Sequence, residues 1–529
     1  MLVLFLWFLL LCLVVISMLP DLAVIGEFVG FSFPGVSMGF AFEFDYVSVG
    51  CLLMLGICSF IAFFYCFHYF GGVNTLSVGL FPLIIWFVGV MSIMIVSSCL
   101  IFSLVMWEYL GFVSFLLILF YSNSYSLRAA LVTLFSSRFG DVALFILFGV
   151  LLNGLSEEYG LVISCSLLLV VLTKSASYPF ISWLLEAMRA PTPVSSLVHS
   201  STLVAAGVWF VMRYSNLFFD SNILLILFLA TIISIFITGV CSLYFVDLKK
   251  IVALSTCNNV AWCVIFFVWG DVDLVLLQLV THGVSKCLLF MLVGDLMCSS
   301  GGSQSSLGVY PSIYSGLWGC LLLSVLVFSL CGLPFLGIFF SKHYFFSFVV
   351  GGVYNLLVCV LLFFGFFLSY AYSSRLMMLL SSCVRGLSNG YVSSFLMIGW
   401  SVLIGSLINI LWVEGLCESV SLGVGVSLMF VIVQVVGSIA GVMCFLMLGS
   451  SNVWSSQLWG CDNLVLLVYD SFNCLVSVCI LGMYRWEIFV LRWLGYVGGS
   501  YSGLGVFSVQ FLVVGLLLWG VYAVLFLSP

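Results

Sequence analysis

The chain has five lysines, Lys174, Lys249, Lys250, Lys286 and Lys342, and each falls inside or at the edge of an apolar run. An ionised side chain at the centre of a bilayer costs about 2.5–3.5 kcal/mol on insertion scales, so an ionisable residue kept there is functional by default. A desolvated lysine can surrender its proton near neutral pH, and the chemistry this suits is proton movement. Glu108, in Trp107-Glu108, lies in the middle of its run, and its carboxylate could hold a neighbouring lysine charged or release it. Gln278, His282 and Lys286 are spaced i, i+4, i+8, which places them on one helix face over about two turns. That stripe is what a relay with bound water needs. His199 has Ser196 and Thr202 three residues to either side, and imidazole titrates near pH 6.5. Arg138 and Asp141, at i, i+3, can pair within one helix.

Each of these residues also has a plainer reading. Arg138 and Asp141 can be a structural ion pair. Lys249 and Lys250, after Asp247, can be an interfacial cluster that sets topology. His199 can tie two helices together by hydrogen bonds, and His68 reads as packing.

The elements that must position these groups are membrane helices. Of 529 residues, 64% are hydrophobic and 6% charged, against roughly 25% charged in a soluble domain. Apolar runs of transmembrane length recur along the whole chain. They predict an all-α polytopic membrane protein of about fifteen transmembrane helices, near 2–19, 46–66, 77–98, 99–120, 129–152, 160–178, 194–214, 223–243, 251–269, 274–295, 314–346, 353–380, 393–413, 423–449 and 505–527. The stretch from about 455 to 498 mixes Asp462, Asp470, Arg485, Glu487 and Arg492 with apolar residues, and reads as a lateral amphipathic helix along the membrane surface. Basic residues Arg128, Arg189, Lys249, Lys250, Arg375 and Arg385 follow even-numbered spans, while Glu27, Glu43, Glu157, Glu158, Asp220, Asp271, Asp273, Glu414 and Glu418 follow odd-numbered ones. Only Arg213 breaks the pattern. The positive-inside rule then puts the N-terminus and the lateral segment on the matrix or cytoplasmic side.

Two spans look broken, one at Lys174-Ser175-Ala176-Ser177-Tyr178-Pro179, the other at Gly332-Leu333-Pro334, with Gly337 and Lys342 beyond. Proline removes a helical hydrogen bond, and such breaks survive in lipid only where protein or water satisfies the freed groups. The breaks lie five spans apart, the odd offset of an inverted repeat. The twenty cysteines are scattered through apolar runs without a CxxC pair, so an iron–sulfur or zinc site is not expected. No GxGxxG or Walker-type loop follows a strand pattern, and no cleavable presequence is expected ahead of the first apolar run.

The run Lys174-Ser175-Ala176, Trp183, Ala187-Met188, Pro191-Thr192-Pro193-Val194-Ser195 and His199-Ser200-Ser201-Thr202-Leu203-Val204-Ala205-Ala206-Gly207 resembles the chain 5 family of NADH:ubiquinone oxidoreductase, the distal antiporter-like subunits of respiratory complex I. Trp107-Glu108, Arg138-Phe139-Gly140-Asp141, the segment from Asp247 to Thr256, Thr281-His282, Lys286, Gly332-Leu333-Pro334-Phe335 and Ser341-Lys342 add to the likeness, which runs from about residue 43 to 380. The resemblance implies two inverted five-helix repeats, at 99–243 and 244–380. N-terminal helices would occupy 1–98, further helices 381–450, the lateral helix 451–500 and a last span 501–529.

In the proton path that the resemblance implies, Glu108 and Lys174 are the charged pair of the first half-channel. Lys286 is the central lysine of the second, reached through His199 and His282, and Lys342 lies in the broken helix towards the outer side. Arg138, Asp141, Asp247, Lys249, Lys250 and Gln278 support them. Four features depart from the family: Gln278 stands where a second histidine is common, His343 where aspartate usually follows the lysine, residues 301–306 lack the usual charges, and the lateral segment is shorter than expected with an N-terminal span expected to be absent.

The resemblance further implies a proton-translocating subunit in the mitochondrial inner membrane, driven by electron transfer in other subunits. FMN, iron–sulfur clusters and ubiquinone would sit in those subunits and no cofactor in this chain. Its partners would be the other membrane-arm subunits, above all the neighbouring antiporter-like one, with lipid and protons but no nucleic acid. The alternative is a subunit of a multi-subunit cation/proton antiporter. An inert scaffold would be expected to have lost Glu108, Lys174 and Lys286.

Overall fold

A computed structural model describes residues 24–28, 32–33, 36–37, 40–71, 75–152, 160–217, 221–306, 308, 316–333, 337–351, 355–381, 424–447, 458 and 461–498. The chain forms two compact units, Met1–Cys461 and Asp462–Pro529. The spans expected near 2–19, 393–413 and 505–527 lie outside the described residues, as do Glu157, Glu158, Asp220, Pro334, Arg385, Glu414 and Glu418.

Among the described residues, the first unit has strands ahead of its helices, where helices alone were expected. β1 (Val24–Phe28) pairs antiparallel with β4 (Phe40–Phe44), and between them β2 (Ser32–Phe33) pairs with β3 (Val36–Ser37). The alternation Phe40-Ala41-Phe42-Glu43-Phe44 is the period-2 pattern that a strand requires.

The helices follow: α1 (Tyr46–Tyr69), α2 (Thr75–Val96), α3 (Leu100–Ile118), α4 (Ser124–Leu152), α5 (Gly160–Lys174), α6 (Ser182–Ala187), α7 (Thr192–Leu197), α8 (Leu203–Arg213), α9 (Ser221–Ser242), α10 (Leu248–Val268), α11 (Val272–Ser299), α12 (Gly316–Cys331), α13 (Phe339–Gly351), α14 (Leu356–Ser381) and α15 (Val424–Met447). A π-helical turn, Val198–Thr202, joins α7 to α8. Eleven helical segments among the described residues are long and apolar enough to cross a membrane. The segment Thr192–Arg213 and α11 are buried along their whole apolar windows, and α10 nearly so, whereas α4 and α15 turn most of theirs outward. This division follows from lipid as solvent: polar groups can be kept only on helices walled off by other helices.

Both expected breaks are present, and neighbouring groups satisfy the freed carbonyls. α5 ends at Lys174, and Ala176 takes a left-handed φ of +52°. Ser175 Oγ donates to Val171 O at 2.7 Å, Ser177 N to Leu172 O at 3.2 Å and Trp183 Nε1 to Thr173 O at 3.0 Å. Gly207 lets α8 approach: a Cβ there would meet Ser175 N at 2.9 Å. In the second break Gly332 has φ +91° and accepts from Tyr370 Oη, while Lys342 Nζ donates to Cys331 O at 3.2 Å. A cation on the last carbonyls of a helix is favoured by the helix dipole.

The ends of the bundle are sorted by charge. Arg189 lies over the Tyr125 ring, and Lys249 Nζ donates to Ala190 O at 3.2 Å. The basic ends of α4, α6 and α10 are therefore neighbours. At the other end Arg213, the exception in the charge pattern, is neutralised by Glu43 at 3.0 Å and Asp45 at 2.6 Å.

The second unit is one helix among its described residues. α16 runs Cys461–Gly498, and Asp470, Arg485, Glu487 and Arg492 along it are exposed. Its 38 residues extend about 57 Å, nearly twice the thickness of a bilayer's hydrocarbon core. By length and composition Asn473–Arg492 within it is one of the eleven segments counted above.

Candidate functional site: two buried lysine centres

The first centre is a line of four charges on three helices. Glu108 on α3 pairs with Arg138 on α4, Arg138 lies 3.6 Å from Asp141, and Asp141 lies 3.9 Å from Lys174 at the end of α5. The Glu108–Lys174 pair is thus indirect: Arg138 holds Glu108, and Asp141 is the nearest carboxylate to the lysine among the described residues. Lys174 and Asp141 are buried, while Arg138 is nearly half exposed on an apolar face with Phe135, Phe139 and Val142. The Lys174 ammonium stands 5.0 Å from the Trp107 ring, a cation–π contact that supports charge without a hydrogen bond.

Lys174 and His199 line a common cavity with Ser114, Ser137, Thr173 and Trp183. It offers about 10 Å³ to the centre of a water molecule, room for about one water. His199 sits in the π-helical turn, a local widening frequent at functional sites. It is fully buried, and neither ring nitrogen has a protein hydrogen-bond partner among the described residues.

The second centre follows α11. Gln278, His282 and Lys286 are all buried on one face. Lys286 Nζ donates to Ser255 Oγ and, at 3.3 Å, to Val252 O, both on α10. Gln278 Oε1 accepts from Ser341 Oγ, next to Lys342. Lys342 lies 5.7 Å from the Trp262 ring and 5.2 Å from that of Phe366. Both nitrogens of His282 and Nε2 of Gln278 lack protein partners among the described residues. Buried polar groups are hydrogen-bonded in native structures, so these are placed to hold water. The arrangement can pass a proton from one titratable group to the next, and it offers no nucleophile–base pair for covalent chemistry.

The supporting residues divide. Lys249 is buried against the Ala190 carbonyl, whereas Lys250 is partly exposed and pairs with Asp247 at 3.4 Å. Arg375 is buried within α14, where it donates to Ser242 O at 2.6 Å and Phe245 O at 2.8 Å and so ties the end of α9. His68, read as packing, forms a 2.7 Å pair with Asp295 between α1 and α11. His343 packs between the rings of Phe339 and Phe430. The roles of Ser255 and Trp262, which meet Lys286 and Lys342, were not legible in the sequence, because their partners lie on other helices.

Known proteins resemble the chain in sequence and in fold. Residues 97–369 match the family described as NADH:quinone oxidoreductase/Mrp antiporter, transmembrane. NADH-ubiquinone oxidoreductase chain 5 of Aedes aegypti is 30% identical over 527 residues, covering 93% of this chain and 90% of the relative. A chain of respiratory complex I from Thermus thermophilus superposes with TM-score 0.68 at 16% identity, over 83% of this chain and 94% of that one. A chain of the Mrp complex from a Dietzia species superposes with TM-score 0.67 at 20% identity, over 97% of this chain and 59% of that one. At these identities the two structures establish a shared fold.

Proposed function

The chain belongs to the NADH:quinone oxidoreductase/Mrp antiporter transmembrane family as a homologue of NADH-ubiquinone oxidoreductase chain 5, and from that premise we propose that it is a proton-translocating membrane-arm subunit of complex I in the mitochondrial inner membrane. The enzyme is the whole complex, an H+-translocating NADH:ubiquinone oxidoreductase; this chain supplies a path for protons, and flavin, iron–sulfur and quinone chemistry belongs to its partners. The observation that carries the reading is the placement of Lys174, Lys286 and Lys342, each buried inside the apolar bundle with a different means of support.

In the first centre, Glu108 governs Lys174 through Arg138 and Asp141. While Glu108 is ionised it holds Arg138, and Asp141 is left to Lys174. Once Glu108 is protonated, Arg138, already 3.6 Å away, turns to Asp141; the lysine loses its counter-ion and releases its proton. The cavity shared with His199 carries that proton towards the second centre. There His282 and Lys286 exchange it, Gln278 orders water without titrating, and Lys342 passes it on towards the acidic end. The half-exposed Arg138 has no place against lipid, which supports a neighbouring membrane subunit on the α3–α4 face. The length of α16 supports a lateral brace, and the charge pattern of the sequence supports the matrix side for it.

The cation/proton antiporter alternative is supported by the shared family and by fold, but the chain spans 59% of the Mrp chain against 90% of the Aedes relative. The test is Lys174→Met in the purified complex sealed into vesicles, with NADH oxidation and acidification followed together. Assembled complex with lost or diminished pumping is expected, and an undiminished number of protons per electron overturns the proposal. Flavin and iron–sulfur subunits should co-purify.

A further inference from the structure

The helix facing the relay carries a polar residue that the path has not yet used. Ser255, Asn259 and Trp262 are spaced i, i+4, i+7 on α10, which at 100° per residue keeps them within about 60° of one face. The two ends of this stripe are fixed by contact, Ser255 to Lys286 and Trp262 to Lys342. α10 and α11 are joined only through residues 269–271 and run antiparallel, so Asn259, one turn past Ser255, stands level with His282, one turn before Lys286. Asn259 is fully buried, and neither its Nδ2 nor its Oδ1 has a hydrogen-bond partner among the described residues. Its neighbour Asn258 points elsewhere: Asn258 Nδ2 donates to Ile235 O at 3.2 Å and ties α10 to α9.

Resting on the proton-path reading above, we propose that Asn259 is a positioning residue of the second centre, whose carboxamide holds the water through which His282 and Lys286 exchange protons with Lys342. A carboxamide donates and accepts at once, so it can orient a water for transfer in either direction without itself becoming charged. Asn259, His282 and Gln278 all carry buried donors or acceptors without protein partners among the described residues, and water is the species that satisfies such groups.

The test compares purified complexes carrying Asn259→Leu, Asn259→Gln or Asn259→Met with wild type and with Lys286→Met, in sealed vesicles. Protons per electron and the solvent deuterium isotope effect on NADH oxidation are both read. Leu keeps the volume and Met the length of a longer amide, both without polar atoms. The expectation is that Asn259→Leu and Asn259→Met assemble but lose pumping to the level of Lys286→Met, with a changed isotope effect, and that Asn259→Gln restores both. If Asn259→Leu fails to assemble, the Gln and Met variants alone decide. Wild-type pumping in Asn259→Met, or Gln no better than Met, overturns the assignment of Asn259. If Lys286→Met itself pumps normally, the failure lies in the proton-path reading; if Lys286→Met fails while Asn259→Met pumps normally, it lies in this inference alone.

Discussion

Asp141→Asn tests the order of charges in the first centre. It removes the carboxylate 3.9 Å from Lys174 and leaves a side chain of nearly the same shape. With an effective dielectric of about 20, one unit charge attracts its opposite at this distance by about 4 kcal/mol, a factor of about a thousand in an equilibrium that needs the ammonium to stay beside it. Glu108 cannot take over, because Arg138 holds it. The variant complex, sealed into vesicles, should therefore oxidise NADH with fewer protons moved per electron. Asp141→Glu, which keeps the charge, should retain part of the coupling. A merely structural ion pair predicts a different result: reduced assembly or a lower melting temperature, with an unchanged proton ratio in the complex that does assemble. That second result would refute the assigned order.

In the second centre, Lys286→Arg keeps the charge but not the ability to release a proton, and should block pumping. Gln278→His should be tolerated, since an imidazole can still meet Ser341. Measuring protons per electron in both decides the matter, and normal pumping by Lys286→Arg with failure of Gln278→His reverses the proposed roles. Arg375→Ala removes two bonds to carbonyls at the end of α9 and, as the loss of a buried charged donor, should destabilise the subunit by about 3 kcal/mol or more. A thermal shift of the complex without change in its residual proton ratio is expected. For α16, deletion of residues 461–498 should release a neighbouring membrane subunit in native gels, and an intact complex would contradict the brace.

What the sequence made legible was whatever one helix carries by itself. The apolar runs mark the spans because lipid admits only helices and closed barrels, and runs of this length fit helices. The stripe Gln278, His282, Lys286 needed only the helical period, and the break after Lys174 needed only the serines and Pro179. What depends on how helices cross could not be read. Glu108 and Lys174 were both recognisable as buried charges, yet their spacing along the chain does not reveal that Arg138 and Asp141 stand between them. Arg375 looked like a topology-setting charge and is instead buried on α9's carbonyls. His68 shows no reason in its own neighbourhood to be more than packing; its partner, Asp295, is far along the chain. The strand pairing of Val24–Phe28 with Phe40–Phe44 is a different case, since its alternating pattern was in plain view but short and set among apolar runs that favour helix.

The two centres meet the cost of buried charge in opposite ways. In the first, two carboxylates face two cations along a line, so the cluster can be close to neutral while a proton is present. In the second, Lys286 and Lys342 share a polar track with Gln278 and His282, and among the described residues neither ammonium has a carboxylate within salt-bridge distance. Each is held only by hydroxyl or carbonyl dipoles and by aromatic faces, which support a positive charge less firmly than a facing carboxylate does. Under the proposed function a lysine of the second centre can therefore pass on its proton without first breaking an ion pair, whereas Lys174 in the first centre must part from Asp141.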